Sequence, residues 1–160
     1  MSESNIDFMI QPQLKFSQDE SGLEYIEIEN RLATAKIALQ GGHVMTWQPK
    51  SQDQPVLWLS SNARFIKGRS IRGGIPICWP WFGAHPTDSA LCPHGFARVI
   101  PWQLVDADTL KNGATRLVLQ MMETAESRRQ LSYPHLLAMT ITIGETLKID
   151  LATTNKASHP

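Results

Sequence analysis

The amino-acid sequence predicts an all-β fold, an antiparallel β-sandwich or barrel formed by one domain over residues 1–160. Apolar and polar residues alternate in several segments, and a period of two is typical of strands with one buried face. Short turns rich in glycine join these segments, as in antiparallel hairpins. A chain of 160 residues is long enough for a substantial core.

The first strand pair is predicted in the N-terminal half. The segment "RLATAKIALQ" at 31–40 places Ala33, Ala35, Ile37 and Leu39 on one face. Gly41-Gly42 then separates it from "HVMTW" at 43–47, which indicates a strand, a turn and a second strand.

The C-terminal half repeats this pattern. The alternating segments are "TRLVLQM" at 115–121, "LLAMTITI" at 136–143 and "LKIDLAT" at 147–153. Asn112-Gly113 marks a turn before the first of them, and Gly144-Glu145-Thr146 predicts a hairpin between the last two. The one helical piece we expect is short, "METAESRRQL" between Met122 and Leu131.

Composition excludes several classes of protein. Fifteen basic residues balance fifteen acidic ones, which argues against a nucleic-acid-binding surface but leaves room for a local basic pocket that binds a small anion. No segment approaches the ~20 apolar residues of a membrane span, and the N-terminus lacks the features of a signal peptide. We therefore expect a cytoplasmic protein with no nucleic-acid or membrane partner. For Cys78 and Cys92 one disulfide is conceivable, but two free thiols are favoured.

The stretch "RGGIPICWPWFGAHPTDSALCPHGFAR", residues 72–98, has neither strand nor helix periodicity. A long irregular segment in a compact β domain is uncommon unless it is functional or disordered. Disorder would expose Trp79, Trp81 and Phe82, so we expect an ordered, partly buried loop. Gly73-Gly74 would let the backbone approach a neighbour or a ligand closely.

Three side chains of this stretch are candidate site residues. Arg72 and Arg98 bracket it, and guanidinium groups suit bidentate recognition of phosphate or carboxylate. His94 suits proton transfer or a hydrogen bond to a hydroxyl at neutral pH. Taken singly, each has a plainer interpretation, as a surface ion-pair arginine or a structural histidine. Zinc-ligand spacing is absent, so no metal is expected.

Taken together, the blocks are more specific than their parts. "GGHVMTWQP" at 41–49, "VLWLS" at 56–60, "IRGGIPICWPWFG" at 71–83, "HGFAR" at 94–98 and "YPH" at 133–135 resemble the bacterial hexose-6-phosphate mutarotases. These are glucose-6-phosphate 1-epimerases of the aldose 1-epimerase superfamily. The resemblance runs from about Leu32 to the end of the chain.

The resemblance implies a galactose mutarotase-like β-supersandwich and an isomerase that interconverts the α and β anomers of an aldohexose 6-phosphate without a cofactor. It implies that Arg72 and Arg98 bind the phosphate of this small-molecule substrate and that His94 supports catalysis at a sugar oxygen. A glutamine that precedes this histidine in some relatives is Pro93 here, so that contact is not expected.

The resemblance also places the principal catalytic acid and base of the family in segments that would follow Pro160. His159 does not match the catalytic histidine. We therefore expect that the chain is the N-terminal part of a longer enzyme and that its sandwich is incomplete at the C-terminus. One alternative is a non-catalytic β-sandwich module that binds sugar phosphates, and another is a purely structural β domain whose irregular loop fills part of the core.

Overall fold

The computed structural model describes residues 13–158, which contain eight strands and one helix. The strands of the first half are β1 (Leu14–Gln18), β2 (Glu24–Glu29), β3 (Ala33–Ala38) and β4 (His43–Pro49). Those of the second half are β5 (Trp102–Thr109), β6 (Thr115–Met121), β7 (His135–Ile143) and β8 (Leu147–Asn155). The helix α1 spans Ala125–Gln130.

The strands form two antiparallel sheets of four, and in each sheet sequence neighbours are also spatial neighbours. The order is β1-β2-β3-β4 in one sheet and β5-β6-β7-β8 in the other. Strands, sheets and antiparallel pairing therefore confirm the all-β prediction.

One apolar core lies between the sheets. Strand β6 buries every second residue, and β7 does the same from Leu137 onward. The core combines residues from both sheets: Ile26, Ile28, Ala35, Ile37, Trp102, Leu117, Leu119, Leu137, Met139 and Ile141. The last strand is only half-covered, because Leu147 and Ile149 pack against this core whereas Leu151 is 43% exposed.

The predicted turns and helix are confirmed. Gly41-Gly42 joins β3 to β4, Asn112-Gly113 lies between β5 and β6, and 144–146 joins β7 to β8. Helix α1 begins after Thr124, whose hydroxyl accepts the backbone N–H of Ser127 at 3.1 Å, as expected for an N-cap. None of the helices in the described part of the chain is long and apolar enough to cross a membrane.

Residues 50–101 connect the two sheets and contribute isolated bridges instead of strands. The irregular stretch is ordered by packing, since Trp79 and Trp81 are half-buried against the core. Phe82 departs from the expectation of a partly buried aromatic group, because it is 81% exposed. Cys78 and Cys92 are both free thiols, the first half-buried and the second exposed.

Candidate functional site

The turn between β3 and β4 holds three segments of the 50–101 connection in place. Gln40 and Gly41 of the turn contact residues 66–69 and 98–100, and His43, the first residue of β4, contacts residues 73–74. Each of these segments carries or adjoins an arginine. The turn therefore determines where those arginines lie.

Gln40 fixes the segment at 66–69. Its amide oxygen accepts the N–H of Gly68 at 2.8 Å, and its amide nitrogen donates to the carbonyls of Arg69 at 2.8 Å and Ile66 at 3.2 Å. The side chain is buried, so these bonds satisfy polar groups that would otherwise be unpaired away from water.

Gly41 lies directly against the backbone of Arg98. A Cβ at this position would lie 2.5 Å from the Arg98 carbonyl oxygen, and the φ angle of 81° favours glycine. The N–H of Gly41 also donates to the Ile100 carbonyl at 2.8 Å. This contact holds the backbone of Arg98 against the sheet.

His43 anchors the backbone that follows Arg72. Its Nε2 donates to the Gly73 carbonyl at 2.7 Å, and the ring is fully buried. Burial lowers the pKa of His43 because the charged form loses its hydration, while the bond to Gly73 opposes that effect. The ring is therefore neutral at pH 7, and its role is structural.

Gly74 lies close to the backbone of Val44 and to the ring of His43. A Cβ on Gly74 would lie 2.3 Å from the Val44 carbonyl oxygen and 2.7 Å from Nε2 of His43. The close approach expected of Gly73-Gly74 is thus made to two neighbours, because Gly74 lies against strand β4 and a Cβ on Gly73 would lie 2.6 Å from the Trp58 carbonyl oxygen.

Arg72 and Arg98 line one cleft of about 480 Å³, as do Arg64 and Arg69. The Nη2 of Arg98 donates to the Pro93 carbonyl at 2.6 Å, whereas its Nε is buried with no partner among the described residues. The connection at 50–101 contains six lysines and arginines but two acidic residues, so the balanced charge of the chain conceals a local basic excess. This is an arrangement that favours an anion.

His94 is not among the residues that line the cleft. The ring Nδ1 of His94 accepts the backbone N–H of Gly83 at 3.1 Å, and the backbone N–H of His94 donates to the Gly83 carbonyl at 2.8 Å. Because Nδ1 accepts, the neutral ring carries its proton on Nε2, for which residues 13–158 provide no acceptor. His94 follows Pro93 in the chain. The Pro93 carbonyl accepts the hydrogen bond from Nη2 of Arg98, which lines the cleft.

The backbone of His94 has a φ of 67°, the one positive value at a non-glycine residue in the described chain. This region costs an L-residue about 1–2 kcal/mol. The two bonds to Gly83 hold the residue there, and Phe82 packs edge-on against its ring with centroids 4.7 Å apart. The ring Nδ1 therefore has a structural role, whereas Nε2 is the ring atom that stays unbonded among the described residues.

Trp79 and Trp81 pack mainly against neighbouring rings. Trp79 contacts Phe96 edge-on at 5.6 Å and the ring of His135 at 4.9 Å. His85 packs against Trp81 and accepts two backbone N–H groups, which agrees with a structural role. The described residues contain no cluster of side chains that could hold a metal ion.

Comparison with known proteins shows the family of this chain. Residues 24–160 match the family model described as aldose 1-epimerase, and the chain belongs to this family. It is 36% identical over 129 residues to an Escherichia coli K12 protein named "Putative glucose-6-phosphate 1-epimerase". That alignment covers 81% of this chain and 43% of the relative.

Solved structures agree with this assignment. A Salmonella typhimurium protein described as a "putative mutarotase" superposes with a TM-score of 0.84 at 32% identity, over 94% of this chain and 52% of that one. A galactose mutarotase-like protein from Lactobacillus casei, 22% identical over 84% of this chain and 45% of its own, shares the fold with a TM-score of 0.62. The chain thus spans about half the length of these proteins, or less.

Proposed function

We propose that this chain binds an aldohexose 6-phosphate and contributes to the interconversion of its α and β anomers. The observation that carries the proposal is the shared cleft of Arg72 and Arg98, whose Arg98 binds the carbonyl of the residue before His94. The family and the names of its relatives support a sugar substrate, and the charge of the cleft supports a phosphorylated one.

The phosphate would occupy the cleft. A phosphate monoester carries nearly two negative charges at pH 7, and guanidinium groups match its oxygens with paired N–H donors. Nη2 of Arg98 bonds the Pro93 carbonyl and its Nε is buried, so this guanidinium would bind the phosphate through its remaining N–H groups.

The sugar ring would extend from the phosphate toward His94. Anomer exchange requires a base to remove the proton of the C1 hydroxyl while an acid protonates the ring oxygen, so that the bond from C1 to the ring oxygen breaks and an aldehyde forms. Rotation about C1–C2 and reversal of these transfers closes the ring on its other face. The Nε2–H of His94 can donate to a sugar oxygen in this sequence, which is a supporting role.

The second candidate function is binding without turnover. Among the described residues no carboxylate contacts His94, so no acid–base pair is assembled around it. Binding of a sugar phosphate is common to both candidates, whereas acceleration of anomer exchange distinguishes them. The cytoplasmic location and the lack of a nucleic-acid partner stay predictions.

Exchange NMR on glucose 6-phosphate and on glucose tests the proposal. We expect the 160-residue chain to bind the phosphorylated sugar and to accelerate its exchange little, because no carboxylate among the described residues contacts His94 to complete an acid–base pair. If codons follow Pro160 in the gene, the longer product should accelerate the exchange strongly.

A substitution of His94 tests its role in the same measurements. His94→Ala should weaken sugar-phosphate binding about 2- to 12-fold, the loss of one neutral hydrogen bond. The matched control is His85→Ala, which removes another histidine of the same stretch. Strong acceleration by the 160-residue chain, abolished by His94→Ala, would show that the main catalytic groups are already present. If His94→Ala binds the sugar phosphate as tightly as the wild type does, His94 does not contact the ligand.

A further inference from the structure

Two arginines of the cleft lie outside every block that carries the family resemblance. Arg64 and Arg69 line the same cleft as Arg72 and Arg98, so four of the eight arginines of the chain meet there. The sequence does not single them out, because "IKGRSIRGG" matches no phosphate-binding loop.

The four guanidinium groups share an electrostatic property. None forms an ion pair with a carboxylate among residues 13–158, whereas Arg116, Arg128 and Arg129 each do. Like charges gathered in one cleft repel one another, and an anionic ligand offsets that repulsion. The cleft therefore carries more positive charge than the surrounding protein compensates.

The segment that carries Arg64 and Arg69 is held rigidly. Gln40 binds backbone groups at Ile66, Gly68 and Arg69, and the hydroxyl of Ser21 donates to the Phe65 carbonyl at 2.7 Å. These bonds hold the backbone of Arg69 directly, and that of Arg64 through the neighbouring Phe65 carbonyl, with no ligand present. Such preorganisation lowers the entropy lost on binding.

We propose that Arg64 and Arg69 form a second pair of anion ligands, so that the cleft selects a doubly charged phosphate monoester over a singly charged ester of the same sugar. This inference rests on the proposed function and specifies its substrate class. Two arginines are enough to hold a single charge in a bidentate manner, and the second pair gives its largest benefit to the second charge.

The experiment compares glucose 6-phosphate with glucose 6-sulfate, a monoanion of the same shape, by calorimetric titration at pH 7.5. The wild-type chain should prefer the phosphate by about tenfold or more, the fold-change of one charge-assisted hydrogen bond. The double substitution Arg64→Gln with Arg69→Gln should lower phosphate affinity by at least that factor and remove most of the preference. Arg64→Lys with Arg69→Lys, which keeps both charges, should retain most of it.

The matched control removes two charges elsewhere. Arg128→Gln with Arg129→Gln makes the same change in net charge on helix α1, outside the cleft, and should bind both esters as the wild type does. Circular dichroism establishes that each variant is folded.

The outcomes distinguish a failure of the inference on Arg64 and Arg69 from a failure of the proposed function. If the Arg64/Arg69 glutamine variant binds both esters like the wild type while Arg98→Ala loses the phosphate, the inference is wrong and the proposed function stands. If neither variant loses affinity, both are wrong. A wild-type chain that binds the two esters equally also overturns the inference.

Discussion

The arginines of strand β6 and those of the cleft illustrate two uses of the same side chain. Arg116 lies opposite Asp108 in the β5–β6 ladder, and its Nε donates to that carboxylate at 2.7 Å while Nη2 reaches Asp106 at 2.8 Å. The bond to Asp108 raises the pKa of Arg116. The four arginines of the cleft have no such partner in the described chain, so their charge is available to a ligand.

The difference follows from how each backbone is built. In a sheet, register places specific side chains opposite each other, and opposite charges there stabilise the pairing. In the 50–101 connection the backbone is held by Gln40, Gly41 and His43 instead, so its arginines are free of any role in pairing strands. A scaffold that is fixed by buried residues of the sheet can therefore present uncompensated charge.

The largest effect should come from breaking this scaffold at Gly41. In Gly41→Ala the new methyl group would meet the Arg98 carbonyl, and the residue would also adopt a positive φ. We expect a loss of about 3 kcal/mol in unfolding free energy, measured by urea denaturation.

Gly68→Ala is the matched control for this change. It has a similar φ of 75°, but its Cβ would meet no atom within 4 Å, so only the backbone term of about 1–2 kcal/mol applies. Equal losses in the two variants would mean that the contact between Gly41 and Arg98 is unimportant.

A smaller effect should appear when His43 titrates. Burial lowers its pKa in the folded chain, so the unfolded chain binds the proton first on acidification. Stability is then greatest above the unfolded pKa of about 6.5 and falls as the pH drops below it, by at most about 1.4 kcal/mol per pH unit.

His43→Gln isolates this contribution. The amide of glutamine can still donate to the Gly73 carbonyl but does not titrate, so the fall in stability between pH 6.5 and 5.5 should be reduced in urea titrations of this variant. An unchanged pH dependence would assign the effect to other groups.

The smallest effect should come from substitution of Arg116, the ion-paired arginine of strand β6. Arg116→Ala removes an ion pair whose members are all partly exposed, and such pairs contribute little to stability. We expect Tm to fall by about 3 °C or less, with a smaller change in high salt. A much larger fall would show that Arg116 also supports the packing of β5 on β6.

From the sequence we predict β3, β4, β6, β7 and β8 and miss β1, β2 and β5, although β2 also alternates and buries Ile26 and Ile28. In β5 the buried residues are Trp102, Leu104 and Ala107, because a bulge between Leu104 and Asp106 shifts the register and breaks the period of two. In β6, where no bulge occurs, alternation alone indicates the strand and its buried face.

The site is predictable to a similar degree. Arg72, His94 and Arg98 stand out because they belong to recognisable blocks, although their roles stay predictions. Arg64, Arg69 and Gln40 give no local signal, since what brings them together is the folding of the connection onto the β3–β4 turn. A buried glutamine that binds three backbone groups is visible only once the backbone is known.

Calorimetric titration of glucose 6-phosphate into the wild type, Arg98→Ala and Arg116→Ala tests the central claim most directly. Both substitutions remove one positive charge, but only the first removes it from the cleft. We expect Arg116→Ala to bind like the wild type and Arg98→Ala to bind more weakly by about 1.5–3 kcal/mol, the contribution of a charge-assisted hydrogen bond. Equal affinities of Arg98→Ala and the wild type, or equal losses in both variants, would contradict the assignment of the cleft as the phosphate site.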